Sequence, residues 1–438
     1  MVSCENAENS LMKITSIKGF ADIFPGEVET WQWVEAQARQ VFAAYNFAEI
    51  RIPIVEKTEL FSRSIGETTD IVEKEMYSFE DRDGRAGESS EGTKLTLRPE
   101  GTAGVVRAYV EAEMYKIEPV RKLYYMGPMF RRERPQKGRM RQFHQIGAEV
   151  LGREDPYIDA EILLLLHDFF QALGLTEPAL QINSLGCSEC RPQYRADLLA
   201  FLKTREAALC GNCRRRIDRN PLRALDCKEP GCIAATRDAP SILDSLCALC
   251  REHFATVQRL LSETQVNFTV SPRMVRGLDY YCRTTFEWTT KLLGSQSAVA
   301  AGGRYDGLVQ QLGGPPIPGV GFAMGVERLT MLLRLHERSD ARGPEIYFAW
   351  IGARARDWAF ALTHRLRQQG IGVEIEAEAR SLKSQMRRAD KFKAGSVVIL
   401  GDDELAKSQA VLRDMTTKQQ QEVSLDDLAA ALKARKAN

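Results

Sequence analysis

The chain has 438 residues, with 60 lysines and arginines set against 59 aspartates and glutamates, and a formal net charge of +1. Hydrophobic residues make up 44% of it, which excludes a disordered chain; at about 100–200 residues per domain, two to four domains are expected. The even charge balance excludes a protein coated in cations, so any nucleic-acid surface has to be local.

The N-terminal MVSCENAENSLMKITSIKGF lacks the apolar core of a secretory signal. The longest apolar runs, such as ILLLL at 162–166, are too short to span a bilayer. A soluble cytoplasmic protein is expected. Residues 27–45 place Trp31, Val34, Ala38, Val41, Phe42 and Tyr45 at helical spacing. AEIRIPIVE (48–56) alternates Ile50, Ile52 and Ile54 and predicts a strand, with Pro53 marking an edge or interface. Residues 80–93 read as a polar loop, 94–102 as strand then turn, and 102–116 as a helix.

Next comes FRRERPQKGRMRQFHQIGAEV (130–150). Six cations, Arg131, Arg132, Arg134, Lys137, Arg139 and Arg141, are offset only by Glu133 and lie between two strand-like runs. An amphipathic helix with a proline near its start is predicted over 155–173. Eight of the ten cysteines then fall between 187 and 250. Their pairs are Cys187-x2-Cys190, Cys210-x2-Cys213, Cys227-x4-Cys232 and Cys247-x2-Cys250. In a cytosolic chain such knuckles point to thiolate metal sites rather than disulfides, and eight sulfurs would fill two Cys4 zinc sites. Reduced buried thiols and an iron–sulfur cluster are the alternatives, and the spacing leaves open which pairs join. Strand and turn patterns return from about 266. GGPPIPGVGFAMG (313–325) then opens a helix, and ERSDARGP (337–344) reads as a linker. Beyond it, EIYFAWIG, RDWAFALTHRLRQQG, GVEIEAE, SLKSQMRRADKFKAG and SVVILG form a βαβαβ series with a largely parallel centre.

Five segments appear in a characteristic order: LRPEGT (97–102), the basic stretch 130–150, VRGLDYYCRTTFEW (275–288), AGGRYDGL (301–308) and GVGFAMGVERL (319–329). Together they resemble the histidyl-tRNA synthetases, a branch of the class II aminoacyl-tRNA synthetases, over nearly the whole chain. The resemblance implies an α+β fold: a class II catalytic core on an antiparallel sheet with flanking helices, an inserted Cys-rich, mainly helical module, and a C-terminal α/β anticodon-binding domain. The expected boundaries are 1–186 and 263–336 for the catalytic domain, 187–262 for the module, 337–343 for the linker and 344–438 for the anticodon-binding domain. The implied reaction joins L-histidine to ATP as histidyl-adenylate and then to the 3′ end of tRNA(His).

Joining a carboxylate to a phosphate brings two anions together, so fixed cations are required. Arginine suits the task because its planar fork binds both groups and stays charged. An arbitrary arginine is usually a solvated surface group; three inside matching motifs are not. By resemblance, Arg131 bridges the α-phosphate and the histidine carboxylate, Arg276 lies on the α-phosphate opposite it, and Arg328 meets the γ-phosphate. Glu133 and Phe143 match contacts to adenine. Glu149 and Tyr281 match contacts to the imidazole, and Glu100, Thr102 and Gln145 match contacts to the amino and carboxylate end. Tyr305 is placed near the ring and Tyr280 beside it, although for Tyr280 aromatic packing is the plainer reading. His144 beside arginines suggests acid–base work, but three arginines need no side-chain base for the first step. Gln136, Arg139, Arg214, Arg387 and Arg388 are the expected tRNA contacts. Mg2+ is expected with ATP, structural Zn2+ with the cysteines, and a homodimer through 27–54, which match motif 1.

Two other readings compete with this one. The family's relative, the regulatory subunit of ATP phosphoribosyltransferase, keeps the fold but loses catalytic residues and the C-terminal domain, all of which are present here. A P-loop ATPase fails because no GxxxxGK[ST] occurs.

Overall fold

The computed structural model describes residues 14–66, 69–81, 92–136, 138–294, 297–336 and 343–434. Most of the predicted 80–93 loop, Lys137 and nearly all of the 337–343 linker lie outside them. The chain forms two compact units, one before and one after residue 340.

The first unit is built on an eight-stranded sheet. Its spatial order is Ala48–Glu49, Arg121–Phe130, Gln142–Leu151, Gly319–Gly325, Ala298–Arg304, Cys282–Thr289, Ala179–Ser184 and Phe268–Val270. The six central strands pair antiparallel, and each short edge strand is parallel to its neighbour. The basic stretch is therefore the loop and returning strand of a hairpin between two ten-residue strands, with Phe130 opposite Gln142 where the loop begins and ends.

Helices cover one face. Val28–Ala44 buries Trp31, Val34, Ala38 and Phe42 at the predicted spacing. Pro156–Ala172, with proline in its first turn, buries Ile162, Leu166 and Phe169 in the same core, with Leu329 of helix Val326–Leu335 and Val257 of helix Ala248–Glu263. At roughly 25 cal/mol per Å2 of apolar surface removed from water, this shared core dominates the unit's stability.

Two elements depart from the sequence reading. The strand expected over 48–56 is interrupted: only Ala48–Glu49 and Val55–Lys57 are strands. The chain turns at Pro53, where the Arg98 guanidinium donates to the carbonyls of Ile52 (2.6 Å) and Pro53 (3.3 Å), occupying acceptors a ladder would use. The helix expected over 102–116 stops at Glu111 and resumes at Met114, because Glu113 is left-handed (φ +47°).

The Cys-rich segment is short helices, Arg191–Lys203, Gly211–Arg216 and Pro230–Ala235. Its core is continuous with that of the sheet's other face: Cys190, Tyr194, Cys213, Cys232 and Cys250 share one cluster with Val106, Tyr281 and Tyr305. In the second unit, Ile346–Ile351 lies between parallel partners Val373–Ile375 and Ser396–Gly401, and two antiparallel strands, Gln409–Asp414 and Gln420–Ser424, extend the sheet. No described helix is long and apolar enough to cross a membrane.

Candidate active site

A cleft of about 260 Å3 opens on the sheet face opposite the long helices' core. Its wall gathers Arg131, Glu133, Arg139, Phe143 and Gln145 from the hairpin with Arg276, Tyr280 and Tyr281 from the 275–281 loop. Glu100 contributes from the turn before helix Thr102–Glu111, Thr102 from that helix's first position, and Arg328 from the first turn of helix Val326–Leu335.

Each arginine is pinned. Arg131 donates through Nε to the Pro99 carbonyl at 2.9 Å and lies over the Phe143 ring, 5.2 Å from its centroid. Arg276 is ion-paired with Glu287 on the neighbouring strand and faces the Tyr281 ring. Arg328 donates to the carbonyls of Gly138 and Ala298. Burial, with Arg139 as a neighbouring cation, pushes its pKa down. Glu133 takes an ion pair from Arg139 at 2.8 Å. Backbone and ion-pair anchors remove the freedom that a long side chain would otherwise lose on meeting a ligand.

Buried polar atoms without a hydrogen-bond partner converge on the same cleft: Gln145 Oε1, Arg276 Nε and the Tyr280 hydroxyl. Buried groups are normally satisfied, so three orphans at one cavity mark where a polar ligand completes the network.

Glu100 accepts from the backbone N–H groups of Thr102 and Ala103, both at 2.8 Å, and so closes the start of helix Thr102–Glu111. Burial nevertheless raises its pKa. Glu149 and Tyr305 are not on the cleft wall. Glu149 is fully buried behind Thr102, accepting from the Thr102 hydroxyl at 2.6 Å and the Tyr305 hydroxyl at 2.5 Å. Burial pushes its pKa up to about 8. Gly321 makes room for it: a Cβ there would sit 1.8 Å from Glu149 Oε2. The glycine of LRPEGT has the same kind of cause, since a Cβ on Gly101 would lie 2.2 Å from the Tyr125 ring.

His144 sits away from the cleft, bonded to Glu327 (Nδ1 to Oε1, 3.2 Å) and edge-on to Trp31. Of the expected tRNA contacts, Gln136 is exposed at the hairpin tip, bridged to Arg139. Arg214 is exposed on the Cys-rich segment, whereas neighbouring Arg216 is paired with Asp70 and Glu73. Arg387 is exposed on helix Leu382–Lys391 of the second unit, and Arg388 pairs with the buried Glu376 at 3.1 Å.

Three groups escaped the sequence reading. Glu287 anchors Arg276, and its only signal was alternation within TTFEW. Arg304 of GGRYD is wholly buried against Asp159 (2.5 Å), which also meets His253 at 2.8 Å. Arg223 and Asn220 reach Asp279 of the RGLDYY loop at 2.9 and 3.0 Å.

The eight clustered thiols resolve into two sets of four: Cys187, Cys190, Cys247 and Cys250, and Cys210, Cys213, Cys227 and Cys232. Within each set all sulfurs lie within 4.8 Å of one another, and none forms a disulfide. Zinc–sulfur bonds of about 2.3 Å at tetrahedral angles put sulfurs about 3.8 Å apart. The Cys187–Cys190, Cys187–Cys247 and Cys210–Cys227 separations are 3.6, 3.9 and 3.9 Å. Backbone N–H groups of Cys247 and Cys210 donate to the sulfurs of Cys190 and Cys232, both at 3.1 Å, as thiolate ligands require of their surroundings. These donor sets fit one soft or borderline cation each.

A hairpin that carries arginines into a cleft on an antiparallel sheet, with a further arginine on the helix after the last strand, is the arrangement of the class II aminoacyl-tRNA ligases, which use ATP. The chain belongs to the histidyl-tRNA synthetase family: that family's model matches residues 19–329, and the anticodon-binding-domain model matches 345–435. The histidine–tRNA ligase of Trichlorobacter lovleyi is 59% identical, covering 96% of this chain and 99% of its own. That of Geobacter sulfurreducens is also 59% identical, covering 96% and 100%. The apo histidyl-tRNA synthetase of S. aureus superposes with a TM-score of 0.80 at 33% identity, covering 96% of this chain and 100% of its own.

Proposed function

We propose that the cleft activates L-histidine with ATP and Mg2+ and then passes the histidyl group to the 3′ end of tRNA(His). The observation that carries this reading is the convergence of Arg131, Arg276 and Arg328 with the orphaned polar atoms of Gln145 and Tyr280 on one cavity. Arg131 and Arg276 flank the α-phosphate and the attacking carboxylate; Arg328 holds the γ-phosphate end. Because each is fixed before substrate arrives, no reorganisation is needed as charge builds up in the transition state. Glu133 and Phe143 face adenine, and Phe143 is then exchanged from the Arg131 guanidinium to the base. Glu100, Thr102 and Gln145 take the amino and carboxylate end. Tyr281 and Tyr280 close over the ring, with Glu149 and Tyr305 reaching it through Thr102. A site built to pair both ring nitrogens rejects side chains lacking them by leaving buried groups unsatisfied.

On this reading the catalytic domain comprises 1–186 and 263–336, the module 187–262, and the anticodon-binding domain 344–438 after a linker at 337–343. Gln136 and Arg139 meet the acceptor end, Arg214 its stem, and Arg387 and Arg388 the anticodon arm. The protein works in the cytoplasm as a homodimer through 27–54, an assignment supported by Ile54 and Val55, which stay 43% and 39% exposed beside Pro53. The two thiol sets hold structural Zn2+. Histidine-dependent ATP–pyrophosphate exchange tests the activity: exchange with histidine alone among the amino acids is expected. No exchange, together with stimulation of a phosphoribosyltransferase, would overturn it.

A further inference from the structure

The two thiol sets stand at the ends of the segments that touch the RGLDYY loop. Cys187 and Cys190 precede helix Arg191–Lys203, and Cys247 and Cys250 open helix Ala248–Glu263, so the first set closes the base of the module. The residue after Cys190, Arg191, donates to the Tyr281 carbonyl at 3.0 Å. The second set includes Cys213 and Cys227, which tether the thirteen-residue segment 214–226 at both ends. That segment carries Arg216, bonded to Asp70 at 2.6 Å, Asn220, bonded to Asp279 at 3.0 Å, and Arg223. Arg223 alone makes two contacts with the loop, to the Gly277 carbonyl at 2.7 Å and to Asp279 at 2.9 Å. Beneath these bonds the buried cysteines Cys190, Cys213, Cys232 and Cys250 pack in the same apolar cluster as Val275 and Tyr281.

The loop itself has no regular secondary structure between Val270 and Cys282. Just upstream, Asn183 of the sheet holds the Pro272 and Met274 carbonyls (3.2 and 2.9 Å), but within 275–281 the described hydrogen bonds that involve side chains come from the module, apart from the Glu287 anchor of Arg276. The module's buried side chains pack into the cluster it shares with the sheet rather than into a core of its own, and four thiols gathered without an ion would be poorly satisfied.

We propose that the two Cys4 sets bind one zinc ion each and that the metal-braced module is a clamp on the 275–281 loop, so that metal occupancy sets histidine affinity. The histidine part rests on the proposed function; the metal and the clamp do not. An iron–sulfur core needs thiolates spread around several iron and sulfide ions, whereas sulfurs within 4.8 Å of one another enclose a single ion. Arg191 and Arg223 are positioning residues: they touch the loop, not the substrate.

The test uses the full-length protein purified without chelator. Elemental analysis should give two zinc ions per chain, and Cys213→Ser should give one. Arg223→Met should keep both ions yet speed amide hydrogen exchange in the peptide covering 275–281 by about tenfold. It should also raise the histidine KM in pyrophosphate exchange by about tenfold, the scale of a lost charge-assisted bond, with kcat changed far less. Cys213→Ser should reproduce both effects. Less than one metal ion per chain, or iron in place of zinc, would overturn the metal assignment. Unchanged exchange at 275–281 in Arg223→Met with both ions retained would overturn the clamp. A wild-type protein with two zinc ions and the expected exchange pattern, but no histidine-dependent activity, would overturn the proposed function and leave the clamp standing.

Discussion

The cleft and the C-terminal unit both collect arginines, but they hold them differently. In the cleft, Arg131 and Arg276 are only 21% and 16% exposed, and each is tied to a carbonyl or carboxylate. On helix Leu382–Lys391, Lys383 and Arg387 project into solvent, and only Arg388 is drawn in, towards Glu376. Fixed charges in a cavity with little water act at low dielectric and suit a single reaction geometry. Exposed charges are screened within about 8–10 Å by physiological salt and suit a long polyanion, where many weak contacts add up.

The sharpest way to break that contrast is at Arg131. Arg131→Ala should lower histidine-dependent pyrophosphate exchange by about 10^3-fold, the scale of removing one preorganised donor from a developing anion. Gln136→Ala, five residues away along the same hairpin, should leave exchange within about twofold and slow only transfer to tRNA, because an exposed tip residue contributes nothing to the first step. Equal loss of both activities in Gln136→Ala would merge the two regions.

A buried cation need not be catalytic, and Arg304 is the control. It lies at 0% exposure between Asp159 and Asp306, and Asp159 also binds His253. The Arg304 charge holds the Asp159 carboxyl below the ordinary range despite burial. Asp159→Asn should destabilise the first unit by about 3 kcal/mol, since it removes the more buried of the two carboxylates that balance a buried guanidinium. Urea denaturation measures this. The histidine KM of the protein that remains folded should be nearly unchanged.

Glu149 separates the regions by pH. Its pKa is raised from 4.5 to about 8 by burial, so between those values the folded state keeps a proton that the unfolded state has released. Stability therefore falls as pH rises from about 5 to 8, by up to about 1.4 kcal/mol per pH unit. Glu149→Gln should flatten that part of the wild-type curve in urea titrations while abolishing discrimination for histidine. A variant that tracks the wild-type slope would show that Glu149 is ionised in the folded protein.

Much of this was legible before any coordinates. The helices over 27–45 and 155–173 and the C-terminal βαβαβ series were readable because apolar spacing and proline placement are local signals. The resemblance set Arg131, Glu133, Phe143 and Gln145 apart from the exposed Gln136, but it put Arg139 with the tRNA loop, whereas the fold turns Arg139 onto the cleft wall beside Glu133. The break at Pro53 was not legible, because the competing donor belongs to Arg98, some forty-five residues on. Nor was the withdrawal of Glu149 behind Thr102, which depends on Gly321 in another strand. The cysteine spacing announced metal-type knuckles but not their pairing: Cys187 joins Cys247 across 60 residues, a contact only the fold creates. Arg304 was given no role within GGRYD, and its partner Asp159 lay inside an ordinary amphipathic helix.

The smallest expected effect is on the exposed side of the comparison. Arg387→Ala removes a charge from the solvent-facing side of its helix, so pyrophosphate exchange should not change at all. Transfer to tRNA should weaken by about threefold at low salt, and the salt dependence of tRNA binding should become shallower by about one counterion. Arg388→Ala should differ in kind: it unpairs the buried Glu376, which also accepts from the Tyr347 hydroxyl at 2.7 Å, and should lower the stability of the second unit itself. Removing 344–438 altogether bounds both, with charging lost far more than exchange. If Arg387→Ala instead slowed exchange as much as transfer, the exposed cations would be acting on the cleft, and the two ways of holding arginine would not correspond to two kinds of substrate.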